Sequence, residues 1–375
     1  MKLAQVHQHL ESIAPEHLAE EWDNVGMILG DPTWDVQRGL LCIDLTAAVV
    51  TEAKAKRVGL VIAYHPPIFE PLRNLDGRKG WKQQILLLAA RHRIAIYSPH
   101  TALDSAPGGV NDWLAKGMGE GEVTTIRPAR RSSGTAQMKL VTFVTPDGAR
   151  AVRMALAQKG AGQIGDYLEC SFNVDGSGTF RGGDSTRPVV GVRGRLEHIR
   201  ETRIEMVCRA DQLGDVIAAL RQVHPYEEPA FDVYPLEGLP PPGLERAGQG
   251  RVVMLRRPVT FGVLGGRVRK HLGVATLRAA APSKMRRVHR IGLCAGAGGS
   301  LLNESGTIDA FVTGEMSHHS VLGAIQRDIA VLLAGHTETE RPFLPVYRER
   351  LKRLCGRSVA WQISRADRAP LRLGP

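Results

Sequence analysis

Short, continuous apolar runs alternate with segments of helical apolar spacing through the first third of the chain. The runs at residues 40–45, 59–63 and 94–97 predict strands, and the second run predicts a strand buried on both faces. Residues 47–57 and 81–91 predict the intervening helices. Because strand and helix alternate, this part of the chain predicts a parallel sheet with crossover helices.

The hydrophobic pattern changes after residue 117. Residues 120–135 are polar and basic, and a strand, helix, strand order then occurs twice before residue 235. This succession predicts a ferredoxin-like α+β module, closed by a proline-rich linker at residues 239–243. The predicted strands are residues 140–144, 167–172, 203–208 and 230–234, the helices are residues 150–159 and 213–223, and residues 175–178 form a glycine-rich turn.

The alternating α/β pattern resumes after the linker, with buried strands predicted at residues 291–295, 310–313 and 329–334. A helix at residues 342–354 and a strand at residues 359–363 follow. We therefore expect one α/β domain with a parallel or mixed sheet, interrupted by an α+β insert. Its first part is predicted at residues 1–125, the insert at 126–245 and the second part at 246–375.

Length and composition agree with this division. A chain of 375 residues suits two domains, or one large domain with an insertion, and its 43% apolar content is ordinary for a globular protein. The first thirty residues contain no unbroken apolar run. They therefore predict neither a signal peptide nor a membrane anchor, and the expected location is cytoplasmic.

Charge and cysteine usage narrow the chemistry. The formal charge is +11, but the arginines are spread along the chain without interleaved aromatic residues. This distribution argues against nucleic-acid binding and favours phosphate-bearing small molecules. The five cysteines contain no C-x-x-C pair, which predicts reduced thiols. Any metal is then expected to be held by His, Asp and Glu.

Side chains that bind metals follow several predicted strands directly. In a parallel sheet the carboxyl ends of the strands lie on one edge, so these residues are expected to converge there. Imidazole and carboxylate ligands without thiolate suit Zn, Mn, Fe, Co or Ni, and two ions together generate hydroxide at neutral pH. Each H-x-x-x-D or H-x-x-x-E spacing is weak alone, and the glycine turn at residues 296–299 is also explained by a tight turn. The candidates are His65, His100, Asp104, His336 and Glu340, with Glu315, His318 and His319 after a further strand.

Taken in order, the motifs resemble the NIF3-like family, whose members are named GTP cyclohydrolase 1 type 2 homologues. The resemblance implies a homohexamer built as a trimer of dimers, with two divalent metal ions per subunit. It implies the metal ligands His65, Asp104, His336 and Glu340, with His100 and also His319 as lining candidates. The motifs are Trp22-Asp-Asn-Val-Gly26, Tyr64-His-Pro-Pro-Ile-Phe69, Tyr97-Ser-Pro-His-Thr-Ala-Leu-Asp104, Gly108-Gly-Val-Asn111, Thr313-Gly-Glu315 and Gly335-His-Thr-Glu-Thr-Glu340.

Two further features bear on the resemblance. The insert is similar to the PII/CutA-like domain of longer members, because the segment from His224 to Asp232 matches its signature.

Many bacterial members have two consecutive histidines before proline, whereas in this chain the first is Tyr64. The loss of an imidazole removes one metal ligand unless the phenol replaces it, so one ion is expected to bind more weakly or to differ in identity.

The resemblance implies a di-metal-dependent hydrolase acting on a nucleotide or a related phosphorylated heterocycle. In this interpretation a metal-bound hydroxide attacks an electrophilic ring carbon, the second ion or Glu340 orients it, and His100 relays protons. The alternative is a non-catalytic metal-binding, metal-trafficking or regulatory protein, in which the PII/CutA-like module senses a ligand.

Overall fold

The structure is a computed structural model that describes residues 1–129, 137–236, 244, 246–284 and 287–371. The chain divides into two compact units. The first contains Met1–Arg130 and Pro240–Pro375, and the second contains Arg131–Leu239. The predicted linker at residues 239–243 lies outside the described residues. The predicted domain boundaries remain a prediction.

Both units combine helices with strands. The first part of the first unit contains α1 (Leu3–Ile13), β1 (Gly26–Leu29), β2 (Arg38–Cys42), α2 (Ala47–Ala55), β3 (Leu60–Ala63), α3 (Trp81–Arg91), β4 (Ala95–Ser98), α4 (His100–Ser105), α5 (Val110–Lys116) and β5 (Gly121–Pro128). The second unit contains β6 (Gln137–Val144), α6 (Pro146–Gln158), β7 (Phe172–Arg181), β8 (Leu196–Arg209), α7 (Leu213–Val223) and β9 (Phe231–Pro235). The first unit then continues with β10 (Gly248–Val259), α8 (Phe261–Leu272), β11 (Arg278–Ala280), β12 (Val288–Cys294), β13 (Ala310–Thr313), α9 (His318–Gln326), β14 (Ala330–Leu333), α10 (Leu344–Cys355) and β15 (Ala360–Ile363).

The first unit contains two mixed sheets. One has the order β1-β4-β3-β2-β15, in which all neighbours are parallel except β1, which pairs antiparallel with β4. The other has the order β11-β14-β13-β12-β10-β5, with a parallel centre of β12, β13 and β14 and antiparallel strands outside it. The predicted α/β class is confirmed. The expectation that all the candidate strand ends share one sheet edge was wrong, since they belong to two sheets.

Alternation along β3 explains how both faces of the first sheet are buried. Leu60 and Ile62 belong to a large core shared with the second sheet, which also contains Ile291 and Val312. Val61 and Ala63, on the opposite face, belong to a separate cluster with residues of α2 and α3. A strand buried on both faces appears in the sequence as a continuous apolar run, and this run allowed β3 to be predicted.

The second unit has the element order of a ferredoxin-like module, β6-α6-β7-β8-α7-β9, with the sheet order β7-β8-β6-β9. The predicted glycine turn at residues 175–178 was wrong, because these residues lie inside β7, where Gly176 pairs with Glu201. Tyr167 and Leu168 precede β7 and are exposed. The long ladder with β8 therefore overrides the turn preference of glycine.

The sequence interpretation missed β5, β10 and α8. Strands β5 and β10 pair along their length, from Gly121 with Leu255 to Pro128 with Gly248. Each strand contains charged side chains that interrupt the apolar pattern. All five cysteines are free. Among the described residues, no helix combines the length and apolar character needed to cross a bilayer.

Candidate metal centre

The ends of strands from both sheets of the first unit surround a cavity of about 600 Å³. His65 follows β3, while His100 and Asp104 lie on α4, which begins just after β4. From the other sheet come Gly296, after β12, and His336, after β14. Residues far apart in sequence therefore share one concave surface, which is the usual form of a ligand site. All five predicted site residues, His65, His100, Asp104, His336 and Glu340, line this cavity.

His65 is oriented by a carboxylate behind it. Its Nδ1 lies 2.9 Å from Oδ1 of Asp44, and its Nε2 lies 3.4 Å from Oε2 of Glu340. Burial opposes protonation of His65, but the hydrogen bond with Asp44 and the negative charges of Glu340 and Asp44 outweigh it and raise the pKa to about 10. Two carboxylates next to one imidazole make this part of the cavity favourable for positive charge.

His336 repeats this arrangement on the other side of Glu340. Its Nδ1 lies 2.8 Å from Oε1 of Glu315, and its Nε2 lies 3.4 Å from Oε1 of Glu340. The Glu340 side chain is 3% exposed. Each histidine thus presents Nε2 to one buried carboxylate while another carboxylate holds Nδ1, a pattern common among metal-binding histidines.

The donor atoms of His65, His336 and Glu340 fit a divalent cation. One atom from each lies within 4.8 Å of the others. Ligand atoms at ~2.1 Å from one ion are at most ~4.2 Å apart, so small side-chain rotations suffice. Among the described residues, Nε2 of His65 and Oε2 of Glu340 are buried without a hydrogen-bond partner. Buried polar atoms are costly when unpaired, and an ion between them would satisfy both.

Gly296 leaves the space in front of these ligands open. Its φ is +60°, and a Cβ atom there would lie 2.6 Å from Oε1 of Glu340 and 3.2 Å from Nε2 of His336. Any side chain at this position would press on the candidate ligands. Glycine at this position therefore adopts the positive φ of the turn and also leaves room for the side chains of Glu340 and His336.

Asp104 lines the cavity but is not part of the three-ligand group. It is 8% exposed, and its Oδ1 accepts a hydrogen bond from the hydroxyl of Tyr64. Burial raises the pKa of Asp104 to about 6, although His100 and the Tyr64 hydrogen bond act in the opposite direction. Burial and the adjacent Asp104 raise the pKa of Tyr64 well above its usual value. Tyr64 is therefore a neutral donor to Asp104.

His100 is held by a carboxylate from the first motif. Its Nδ1 lies 2.9 Å from Oδ1 of Asp23, whose Oδ2 accepts hydrogen bonds from the Thr101 backbone at 3.1 Å and hydroxyl at 2.5 Å. The ring centroids of His65 and His100 are 5.2 Å apart. His100 thus lies beside the centre with Nδ1 occupied and Nε2 available.

One lining candidate, His319, lies away from the site, and two residues that were not predicted contribute to it. His319 is exposed on α9 and is not among the residues that line the cavity. Asp44 and Asp23, which orient His65 and His100, were missed as participants. Asp44 lies near the end of the strand predicted at residues 40–45, and Asp23 belongs to a quoted motif, so their positions were the available signal.

Comparison with known proteins assigns the chain to a family. A family model described as Duf34/NIF3 (NGG1p interacting factor 3) matches residues 1–370. The chain belongs to the DUF34/NIF3 family. Its family resemblance, expected from the motifs, is confirmed.

Several DUF34/NIF3 relatives match over nearly their whole length. A protein of Halalkalibacterium halodurans named GTP cyclohydrolase 1 type 2 homolog is 34% identical over 94% of each chain. NIF3-like protein 1 of Rattus norvegicus is 32% identical, covering 100% of this chain and 93% of that protein. A crystal structure of a Bacillus cereus protein related to NIF3 matches with a TM-score of 0.64 and 30% identity, covering 100% and 99% of the two chains.

Proposed function

We propose that this chain is a divalent-metal-dependent hydrolase of the GTP cyclohydrolase 1 type 2 homologue type. Its substrate would be a nucleotide or a related phosphorylated heterocycle. The observation that carries the proposal is the group of His65, His336 and Glu340, whose donor atoms lie within 4.8 Å of one another at the wall of the cavity. A relative that is 34% identical carries the name GTP cyclohydrolase 1 type 2 homolog.

His65, His336 and Glu340 would hold a first ion, and Asp104 would contribute to a second. A bound divalent cation lowers the pKa of water and stabilises negative charge that develops during hydrolysis. Asp44 and Glu315 keep Nε2 of each histidine directed at Glu340 through the Nδ1 contacts at 2.9 and 2.8 Å. Imidazole and carboxylate donors suit Zn, Mn, Fe, Co or Ni.

His100 would move protons between water and substrate. Asp23 occupies Nδ1 and would stabilise the protonated ring, which leaves Nε2 to accept or donate a proton. Thr101 fixes Asp23 with two hydrogen bonds, so the pair is rigid. A rigid, paired imidazole is suited to proton transfer, whereas the histidines next to Glu340 are suited to metal binding.

The rim of the cavity carries groups that match a nucleotide. Trp22 is 62% exposed, and its ring centroid lies 6.0 Å from that of His100. Lys82 lies 5.9 Å from the Phe69 ring centroid and also lines the cavity. An exposed indole offers a stacking surface for a base, and the ammonium group offers a charge partner for phosphate.

Metal content tests the site. Purified protein should retain roughly one to two divalent ions per chain, and His336→Ala should lose at least one of them, as measured by elemental analysis. His319→Ala is the matched control, because this exposed histidine lies outside the cavity lining. Equal metal content in the wild type and His336→Ala would contradict the site.

Turnover tests the activity separately. Incubation with GTP and divalent ions should give product that disappears in Asp104→Ala and falls about 10²- to 10⁴-fold in His100→Gln while metal content is retained. Turnover by Asp104→Ala equal to that of the wild type would contradict the catalytic hypothesis. Tight metal binding without turnover of any nucleotide would favour the metal-trafficking alternative.

The proposal includes the homohexamer that the family resemblance implies. Light scattering should give a mass near six times the 40.8 kDa of the chain. A monomeric mass would contradict this part without affecting the metal site.

A further inference from the structure

A second group of metal-ligand side chains lies on the first helix and the turn after it. His7 and Glu11 are one helical turn apart on α1, so they share a face. Glu16 begins the short 3₁₀ turn Glu16–Leu18, which follows Pro15. One donor atom of each of the three lies within 4.8 Å of the others. None of the three lines the cavity described above.

The three side chains are held close together by local contacts. Nε2 of His7 lies 2.8 Å from Oε1 of Glu16, and Oε1 of Glu11 accepts a hydrogen bond of 2.9 Å from the Glu16 backbone. The Glu16 carboxylate also packs over Gly26, where a Cβ atom would lie 2.5 Å from Oε1. Glycine at this position therefore leaves room for the carboxylate, and the ligand set is preorganised.

A buried hydroxyl beside the cluster provides an independent indication of a missing group. Tyr97 is 0% exposed, and its hydroxyl has no hydrogen-bond partner among the described residues. Its ring centroid lies 5.7 Å from that of His7, edge to face. An unpaired buried hydroxyl is costly, and a hydrated cation in the cluster would supply water as its partner.

We propose that His7, Glu11 and Glu16 form a separate site for a divalent transition-metal cation such as Zn²⁺. One imidazole and two carboxylates favour Zn²⁺, Mn²⁺ or Fe²⁺ over Mg²⁺ or Ca²⁺, which prefer oxygen ligands alone. The side chains of His7 and Glu16 are 34% and 37% exposed, so water can reach the ion and complete its coordination.

The ion would stabilise the start of the chain. It would join α1 to the turn that leads to Glu20, whose backbone N–H donates a 3.0 Å hydrogen bond to the Thr101 hydroxyl. Thr101 in turn contacts Asp23, the partner of His100. The site is therefore structural, and it supports the segment next to the larger cavity without contributing to it.

Equilibrium dialysis of the full chain against Zn²⁺ tests the proposal. The measurement is made in a His336→Ala background, so that binding at the larger cavity is weakened. His7→Gln and Glu16→Gln should each remove about one Zn²⁺ per chain. His17→Gln is the matched control, because His17 is exposed and next to Glu16 in sequence. It should leave the stoichiometry unchanged.

Two outcomes would overturn the site. Unchanged Zn²⁺ stoichiometry in both His7→Gln and Glu16→Gln would show that the cluster binds no ion. An equal loss in His17→Gln would show an adventitious surface ion only. Should His7→Gln fail to fold, as judged by circular dichroism, Glu11→Gln replaces it and is read by the same criterion. Co²⁺ absorption spectra give a second readout, since the intensity assigned to this site should vanish in Glu16→Gln and persist in His17→Gln.

Discussion

The hydroxyl of Tyr64 donates a hydrogen bond to Oδ1 of Asp104, and both residues are buried at the edge of the candidate metal centre. Tyr64 directly precedes His65, at the position where the family resemblance implied a second histidine. The phenol is neutral, since burial and Asp104 raise its pKa. It therefore positions Asp104 through this hydrogen bond.

Tyr64→His should increase the number of bound divalent ions, because the imidazole adds a neutral nitrogen donor next to Asp104. Elemental analysis should find the count rising toward about two ions per chain. Tyr64→Phe is the matched control: it should add no ion and should lose about 1–3 kcal/mol of unfolding free energy, because Asp104 loses its donor. Equal ion counts in the two variants would contradict this role for the position.

Asp44→Asn should weaken metal binding without removing a ligand. Asp44 holds Nδ1 of His65 at 2.9 Å, and its loss lets the ring rotate and lowers its basicity. Affinity should fall about 10- to 100-fold in a competition titration with a chromogenic chelator. Asp31→Asn changes an exposed carboxylate whose hydrogen bonds, within the part of the chain that the structure describes, come from Thr33, and it should leave the affinity unchanged. Equal affinities in the two variants would show that Asp44 does not orient His65.

Gly296→Ala should prevent metal binding through steric contact with the candidate ligands and through backbone strain. The new Cβ atom would lie 2.6 Å from Oε1 of Glu340, and the backbone φ of +60° is unfavourable for alanine. We expect loss of bound metal and about 1–2 kcal/mol less stability, measured by elemental analysis and urea unfolding. Gly323→Ala, on α9 with no atom within 4 Å of the new Cβ, should keep the metal. Normal metal content in Gly296→Ala would contradict the fit of the turn to the ligands.

Glu52 should contribute stability that disappears in acid. Its carboxylate accepts hydrogen bonds from Lys56, Ser364 and the backbone of Ala366. Burial acts against ionisation, but these hydrogen bonds prevail and lower the pKa from 4.5 to about 2. The stability that Glu52 contributes is therefore complete when the pH is above the ordinary pKa of 4.5, and it is lost as the pH falls from about 4.5 through about 2.

Glu52→Gln measures this contribution. The variant should be about 1 kcal/mol less stable at pH 7, a modest value because the group is partly exposed. The difference between the urea midpoints of wild type and variant should narrow as the pH is lowered below about 4.5. A difference that stays constant with pH would assign the effect to packing and not to charge.

The sequence by itself determined the buried strands and the chemistry that follows them. The predicted helix at residues 81–91 coincides with α3, and the apolar run at residues 310–313 coincides with β13. A strand buried on both faces is apolar throughout, and a helix buried on one face has apolar residues every three to four positions. Both patterns can be recognised in the local sequence. Because ligands follow strand ends, His65 and His336 could be proposed from position alone.

Only the tertiary structure decided which of these residues meet. Charged residues interrupt the apolar pattern of β5 and β10, so the sequence interpretation missed both strands. Their pairing joins a segment that precedes the second unit in the sequence to one that follows it. The candidate strand ends belong to two sheets, and the Nδ1 partners Asp44 and Asp23 come from elsewhere in the chain. Local periodicity reports which face of an element is buried, but it carries no information about which distant group lies opposite. That choice depends on long-range strand pairing and on the hydrogen bonds that buried polar groups require.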